Sequence, residues 1–216
     1  MNQALAVTPQ SLTVRDFAIG TGIAVAMAAL FVWLSSGWSL IATFIPGVVS
    51  AWAVFSWLYA RRIELPEAET FIPAFFVVLA IQFLHFNEEY ITDFRSFFPE
   101  LYGGAPFSGA LFVTINMVSY SVFAIACLAV FAWRRSFLLM PVLFFVVYGA
   151  IGNAISHTFW VIDAQAYRPG FVTAQFFWLA GPWLLRKLLG SWRATAVAIA
   201  GFASMLVPLL KLLAVH

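Results

Sequence analysis

The forty-four residues from Phe17 to Ala60 contain no charged side chain. As one helix they would run about 66 Å, twice the roughly 30 Å of a bilayer's hydrocarbon core. The run must therefore turn back once, and "SSGWS" at 35–39 supplies the turn, dividing it into spans over 17–35 and 39–60. The rest of the chain agrees. Of its 216 residues 63% are hydrophobic and 9% charged, with a mean hydropathy of +0.96, where a soluble domain carries roughly 25% charged residues. Backbone groups in lipid must be satisfied internally, so this composition predicts an all-α, polytopic transmembrane bundle. The single cysteine, Cys127, lies in an apolar run and excludes an internal disulfide or a cysteine metal site. No cleavable signal is read at the start, because the apolar run after Arg15-Asp16 is long enough to span.

Five more spans follow, over 71–91, 109–133, 136–160, 171–185 and 194–213, giving seven in a single transmembrane domain covering 1–216. The polar stretch 61–70 is a loop, and so is 92–108, with Pro99, Gly103, Gly104 and Pro106. Pro46, Pro182 and Pro208 read as kinks. Trp33, Trp38, Trp160, Trp183 and Trp192 read as interfacial anchors. Alternation of the loops puts Arg15, Arg61, Arg62, Arg134, Arg135, Arg186, Lys187 and Arg193 on one side, and Arg95, Arg168 and Lys211 on the other. Eight against three predicts a cytoplasmic N-terminus and an outside C-terminus.

Against this apolar background the stretch "LHFNEEYITD" (84–93) stands out at the outer end of span three. On a helix Gln82, His85, Glu88, Glu89, Thr92 and Asp93 fall within an arc of roughly 140°. Span five brings Gly149, Gly152, Asn153, Ser156 and His157 onto one stripe, its glycines permitting close helix approach. Asn116 of span four and Thr173 of span six enter at a similar depth. Four helices thus place costly polar groups on the same side of the membrane, the pattern of groups that face a bundle interior and pair there.

"HFNEE" (85–89), with "GNAISHTFW" (152–160) and "YRPGFVT" (167–173), resembles the pattern of the HXXEE family of bacterial membrane proteins, over about 75–180. The resemblance implies that His85, Glu88, Glu89, Asn153 and His157 belong to one site. It supplies no reaction, because the family has no settled activity.

Three chemistries fit these residue types. Two histidines and a carboxylate, His85, Glu89 and His157, suit one divalent ion (Zn, Fe or Mn) with a position left open, Glu88 acting as base and Asn153 supporting a ligand. The order is H-x-x-E-E rather than H-E-x-x-H, so the zinc-protease signature does not apply. A di-iron site would need more carboxylates. Alternatively, adjacent Glu88 and Glu89 in a low dielectric resist ionising together, and one becomes an acid–base catalyst for a lipid-soluble substrate. A proton- or cation-coupled transporter would use a Glu–His relay, but the inner halves of the spans show no second relay. A polar cluster that only locks helix packing is the remaining reading. Asp93 and Asp163 are outer-loop charges near enough in sequence to reach the mouth of the site. No phosphate loop, Ser-His-Asp order or nucleic-acid patch is visible. The expected partners are membrane lipid and a lipid-soluble small molecule.

Overall fold

The first helix begins where Thr13 and Asp16 cap one another: Asp16 N donates to Thr13 Oγ1 at 3.1 Å, and Thr13 N donates to Asp16 Oδ2 at 3.0 Å. This reciprocal box satisfies two otherwise orphaned amides, so the helix starts three residues before the apolar run does. The structure, a computed structural model, describes residues 10–215. Its elements are α1 (Val14–Leu34), α2 (Ser39–Ala60), α3 (Ala68–Ile91), α4 (Phe94–Leu101), α5 (Gly109–Phe131), α6 (Leu139–Phe144), α7 (Asn153–Ala164), α8 (Phe171–Ala174), α9 (Phe177–Leu189) and α10 (Trp192–Leu212). No strand occurs among the described residues.

Among the described residues six helices are long and apolar enough to cross a membrane, counting Ser136–Ala164 as one. The expected sixth span is the exception. It is broken into α8 and α9 at Gln175-Phe176, where Gln175 N bonds Val172 O and Phe176 N bonds Thr173 O. These i→i−3 bonds tighten the coil without ending it. From 171 to 189 the two pieces together reach about 28 Å, enough to return the chain across. The bundle is thus close to the seven spans read from hydropathy.

Loop contacts sort the ends. Trp38 N donates to Tyr102 O at 2.9 Å and Val215 N to Leu101 O at 2.9 Å, while Lys211 pairs with Asp163 at 2.7 Å. The ends of α1, α3, α7 and α10 therefore share one face. At the other end Leu65 N donates to Gln10 O at 2.8 Å, and the Gln10 amide donates to Ser136 Oγ.

Segment 136–164 runs through the middle: 89% of its apolar window is buried, against 17% for α1. Between α6 and α7 it takes a π-helical turn over Phe145–Gly152. A π turn inserts an extra residue and re-aims the side chains after it, so the face carrying Asn153 and His157 is not set by a uniform 3.6-residue count. The glycines here serve aromatic rings more than backbone approach. A Cβ on Gly149 would meet Phe145 of the same segment at 2.7 Å, and one on Gly152 would meet Tyr148 at 2.6 Å and Phe202 of α10 at 3.3 Å.

Two further expectations are corrected. Segment 92–108 is not all loop: α4 lies in it, with Phe94, Phe98 and Pro99 buried. Its aromatic spacing at i and i+4 was outweighed in the sequence by the nearby prolines and glycines. Trp160 is no interfacial anchor. It is 4% exposed, and its Nε1 donates to the Tyr102 hydroxyl at 3.0 Å, whereas Trp33, Trp38, Trp183 and Trp192 are exposed.

Candidate metal and substrate site

His85 and Glu89 sit one turn apart near the end of α3, and His157 reaches them from α7. Nε2 of each histidine lies 3.4 Å from the same carboxylate oxygen, Oε1 of Glu89. The side chains are 0%, 7% and 1% exposed for His85, Glu89 and His157, so water does little to screen them. The two rings meet edge to face at 4.7 Å, with Phe94 of α4, Trp160 and Phe177 packed around them.

The other ring nitrogens fix the tautomers. Nδ1 of His157 lies 2.8 Å from the Pro169 carbonyl, which can only accept, so Nδ1 carries the proton. Nδ1 of His85 lies 3.0 Å from Thr173 Oγ1, whose own proton goes to Glu88 Oε2, so His85 also donates through Nδ1. Each neutral imidazole then turns an Nε2 lone pair toward a carboxylate oxygen. Nε2 of His85 is buried with no hydrogen-bond partner among the described residues. Three electron-rich atoms facing one another repel unless a positive charge lies among them, either a metal ion or a proton on one ring. The three ligand atoms all lie within 4.8 Å of one another, and histidines oriented through Nδ1–H to a carbonyl or hydroxyl are the usual arrangement around a metal.

The segment 167–173 is built onto this cluster. Tyr167 donates to Glu88 Oε1 at 2.8 Å, Val172 N donates to the same oxygen at 3.0 Å, and Thr173 N donates to Oε2 at 2.7 Å. Glu88 thereby holds the start of α8. Partial burial and the adjacent carboxylate raise the Tyr167 pKa, keeping it a donor. Gly170 adopts φ +81°, and a Cβ there would lie 2.6 Å from His157 Cε1 and 3.0 Å from Glu89 Cγ. Only glycine covers the cluster this closely.

Of the five residues expected at one site, the structure brings His85, Glu89 and His157 together. Glu88 is next to them but turned away: both its oxygens are taken by 167–173, and it shares no hydrogen bond with Glu89. The expected carboxylate pair is therefore two carboxylates with separate partners. Asn153 does not reach a histidine. It donates to Gly149 O at 2.9 Å and to Gln82 Oε1 at 3.4 Å. Asp93 pairs with Arg95 and Asp163 with Lys211, so neither serves the cluster.

Beyond Glu89 lies a cavity of about 80 Å³, walled largely by aromatic rings and also touched by Gln82, Asn116, Tyr120 and Asn153. Gln82 Nε2 donates to the Tyr120 hydroxyl at 3.0 Å, and that hydroxyl donates to Asn116 Oδ1 at 2.8 Å. Sequence reading passed over Tyr120, although its position four residues after Asn116 put both on one face. The Pro169 carbonyl had no side-chain signal to find it by.

Fold and site together define a helical membrane protein with a buried His–Glu–His cluster beside an aromatic cavity. The chain belongs to the family described as "Protein of unknown function with HXXEE motif", whose model matches residues 76–184. The match runs from α3 through α9 and contains every residue of the cluster and its cover. No curated protein and no solved structure matches the chain.

Proposed function

We propose that this protein is a membrane-embedded, metal-dependent enzyme acting on a lipid-soluble substrate. One observation carries the reading: two histidines with Nδ1 protons committed elsewhere aim both Nε2 atoms at one buried oxygen of Glu89. His85, Glu89 and His157 are the ligands, and a 2-His-1-carboxylate set suits zinc, iron or manganese. Such an ion supplies Lewis acidity or a water activated at neutral pH, with a position left open for substrate.

The remaining residues position and exclude. Thr173 and Pro169 hold the imidazoles in the ligating tautomer. Glu88 pins the 167–173 cover. Phe94, Trp160 and Phe177 keep water from the cluster, which strengthens each electrostatic contact inside. Glu89 lines the cavity, so a substrate there meets the centre directly. The basic residues at the opposite end of the bundle support placing the site toward the outer face of a bacterial plasma membrane, with the N-terminus in the cytoplasm.

Acid–base catalysis without metal is the second reading, supported by the same geometry with a proton shared between Glu89 and one imidazole. Elemental analysis of the purified protein, beside His85→Ala and His157→Ala, separates the two. About one equivalent of metal, lost in both variants, is expected for a single shared site. Well-folded wild-type protein that stays metal-free after supplementation overturns the metal centre.

A further inference from the structure

A second concavity lies on the outside of the bundle, between α3 and α5. It measures about 450 Å³ and is formed by Phe76, Ala80 and Phe83 of α3 and Met117, Ser121 and Ala124 of α5. Phe83 is 47% exposed and Phe76 36% exposed, so this groove faces the hydrocarbon of the bilayer. Its small residues, Ala80, Ser121 and Ala124, leave the space. Tyr120 lines both this groove and the cavity beside Glu89. The phenol is thus a wall between lipid and site. Its ring leans edge-on against Phe83 at 5.4 Å, and its hydroxyl is held by Gln82 and Asn116.

We propose that the α3–α5 seam is the lateral access route to the site and that its occupant is a slender, neutral lipid alcohol or aldehyde. The tail lies in the groove and the oxygen-bearing end passes Tyr120 into the cavity. This rests on Glu89 marking the reacting centre. The sizes fit this division: about 80 Å³ between aromatic faces admits a few heavy atoms, and the groove of about 450 Å³ outside Tyr120 has room for the rest of a lipid. The charges favour a neutral head. Among the described residues no Lys or Arg lines the cavity and its one charged lining residue is Glu89. A divalent ion held by that carboxylate and two neutral imidazoles would carry a net charge of about +1, which leaves a phosphate monoester of about −2 uncompensated. The polar row Asn116–Tyr120–Gln82–Asn153 offers an alcohol or carbonyl the hydrogen bonds that it loses on leaving the interface. A lipid oxygen that takes over one bond of the Tyr120 hydroxyl releases the gate as it enters.

The test uses the full chain in phosphatidylcholine nanodiscs with tritiated farnesol as probe. Saturable binding near one per chain is expected. Ala80→Trp fills the groove from an exposed position, Ala124→Trp fills it from the facing helix, and Ser119→Phe fills the cavity. Each should weaken binding by at least about tenfold, the effect of misfitting an apolar pocket. Farnesyl phosphate should compete at least about tenfold more weakly than farnesol. Metal content and melting temperature measured on the same samples identify any variant that has misfolded. Binding that survives all three substitutions overturns the proposal, as does equal competition by the phosphate. Metal-replete wild type that does not bind farnesol defeats the lipid site alone. Metal-free wild type with groove-sensitive binding defeats the metal centre and upholds the lipid site.

Discussion

Thr173 ties His85 to Glu88. Its hydroxyl accepts from Nδ1 of His85 at 3.0 Å and gives its own proton to Oε2 of Glu88. One side chain from the broken span thus sets the tautomer of a candidate ligand and anchors the carboxylate that holds that span's beginning. Thr173→Val keeps the shape and deletes both bonds. Metal affinity, read by competition with a chelator, should fall about 10–100-fold, and Thr173→Ser should restore it. Unchanged affinity in the valine variant would refute the link.

Glu89→Gln separates metal binding from folding. The amide can donate to one Nε2 lone pair, so it relieves the repulsion that the carboxylate suffers when no cation is present. The variant should lose the metal yet melt no lower than metal-stripped wild type. Retained metal at one equivalent would show that Glu89 is not a ligand.

Gly170→Ala tests the cover. Its φ of +81° strains an alanine, and the new Cβ would lie 2.6 Å from His157 Cε1. Such backbone strain costs about 1–3 kcal/mol, and the histidine must shift as well. Both the melting temperature and the metal content should drop. A variant that melts like wild type would mean that the 167–173 segment is free to move off the cluster.

Glu88→Gln should loosen the start of α8 rather than abolish chemistry directly. The carboxylate accepts from two backbone amides and two hydroxyls, and a hydrogen bond to a charged group contributes about 1.5–3 kcal/mol. Hydrogen exchange at Val172 and Thr173 should accelerate well before exchange in α3 does. Equal protection in the variant would contradict this anchoring role.

The distribution of basic residues makes a prediction about orientation. Arg61, Arg62, Arg134, Arg135, Arg186 and Lys187 lie at one end of the bundle, so a reporter fused after Arg135 should be cytoplasmic. A signal from the opposite side would invert the topology and place the site toward the cytoplasm.

Much of this arrangement is readable from the chain alone. A 44-residue run without charge dictates two spans, and the i, i+4 spacing of His85 and Glu89 dictates a shared helix face. The Tyr167-x-Pro169-Gly170 pattern marked a segment that the structure seats on the cluster. The expectations that failed did so for local reasons. Trp160 looked interfacial because it ends a span, but α4 covers it, and α4 was hidden among residues that usually break helices. Glu88 and Glu89 looked like one pair because they adjoin in sequence. Neighbours on a helix diverge by about 100°, and each found its own partners.

The sequence by itself determined that the chain is a helical membrane protein with its intramembrane histidines and carboxylates gathered toward one end, because hydropathy and helical period are properties of consecutive residues. Only the tertiary structure decided which of those groups meet. The π turn before Asn153, the break at Gln175-Phe176 and the left-handed Gly170 re-aim side chains in ways that no uniform period predicts. They bring His157 and Thr173 onto the face of α3 that carries His85 and Glu89. Contact between helices depends on such departures from regularity, since packing and hydrogen bonding across the bundle compensate them and no short stretch of sequence contains both partners.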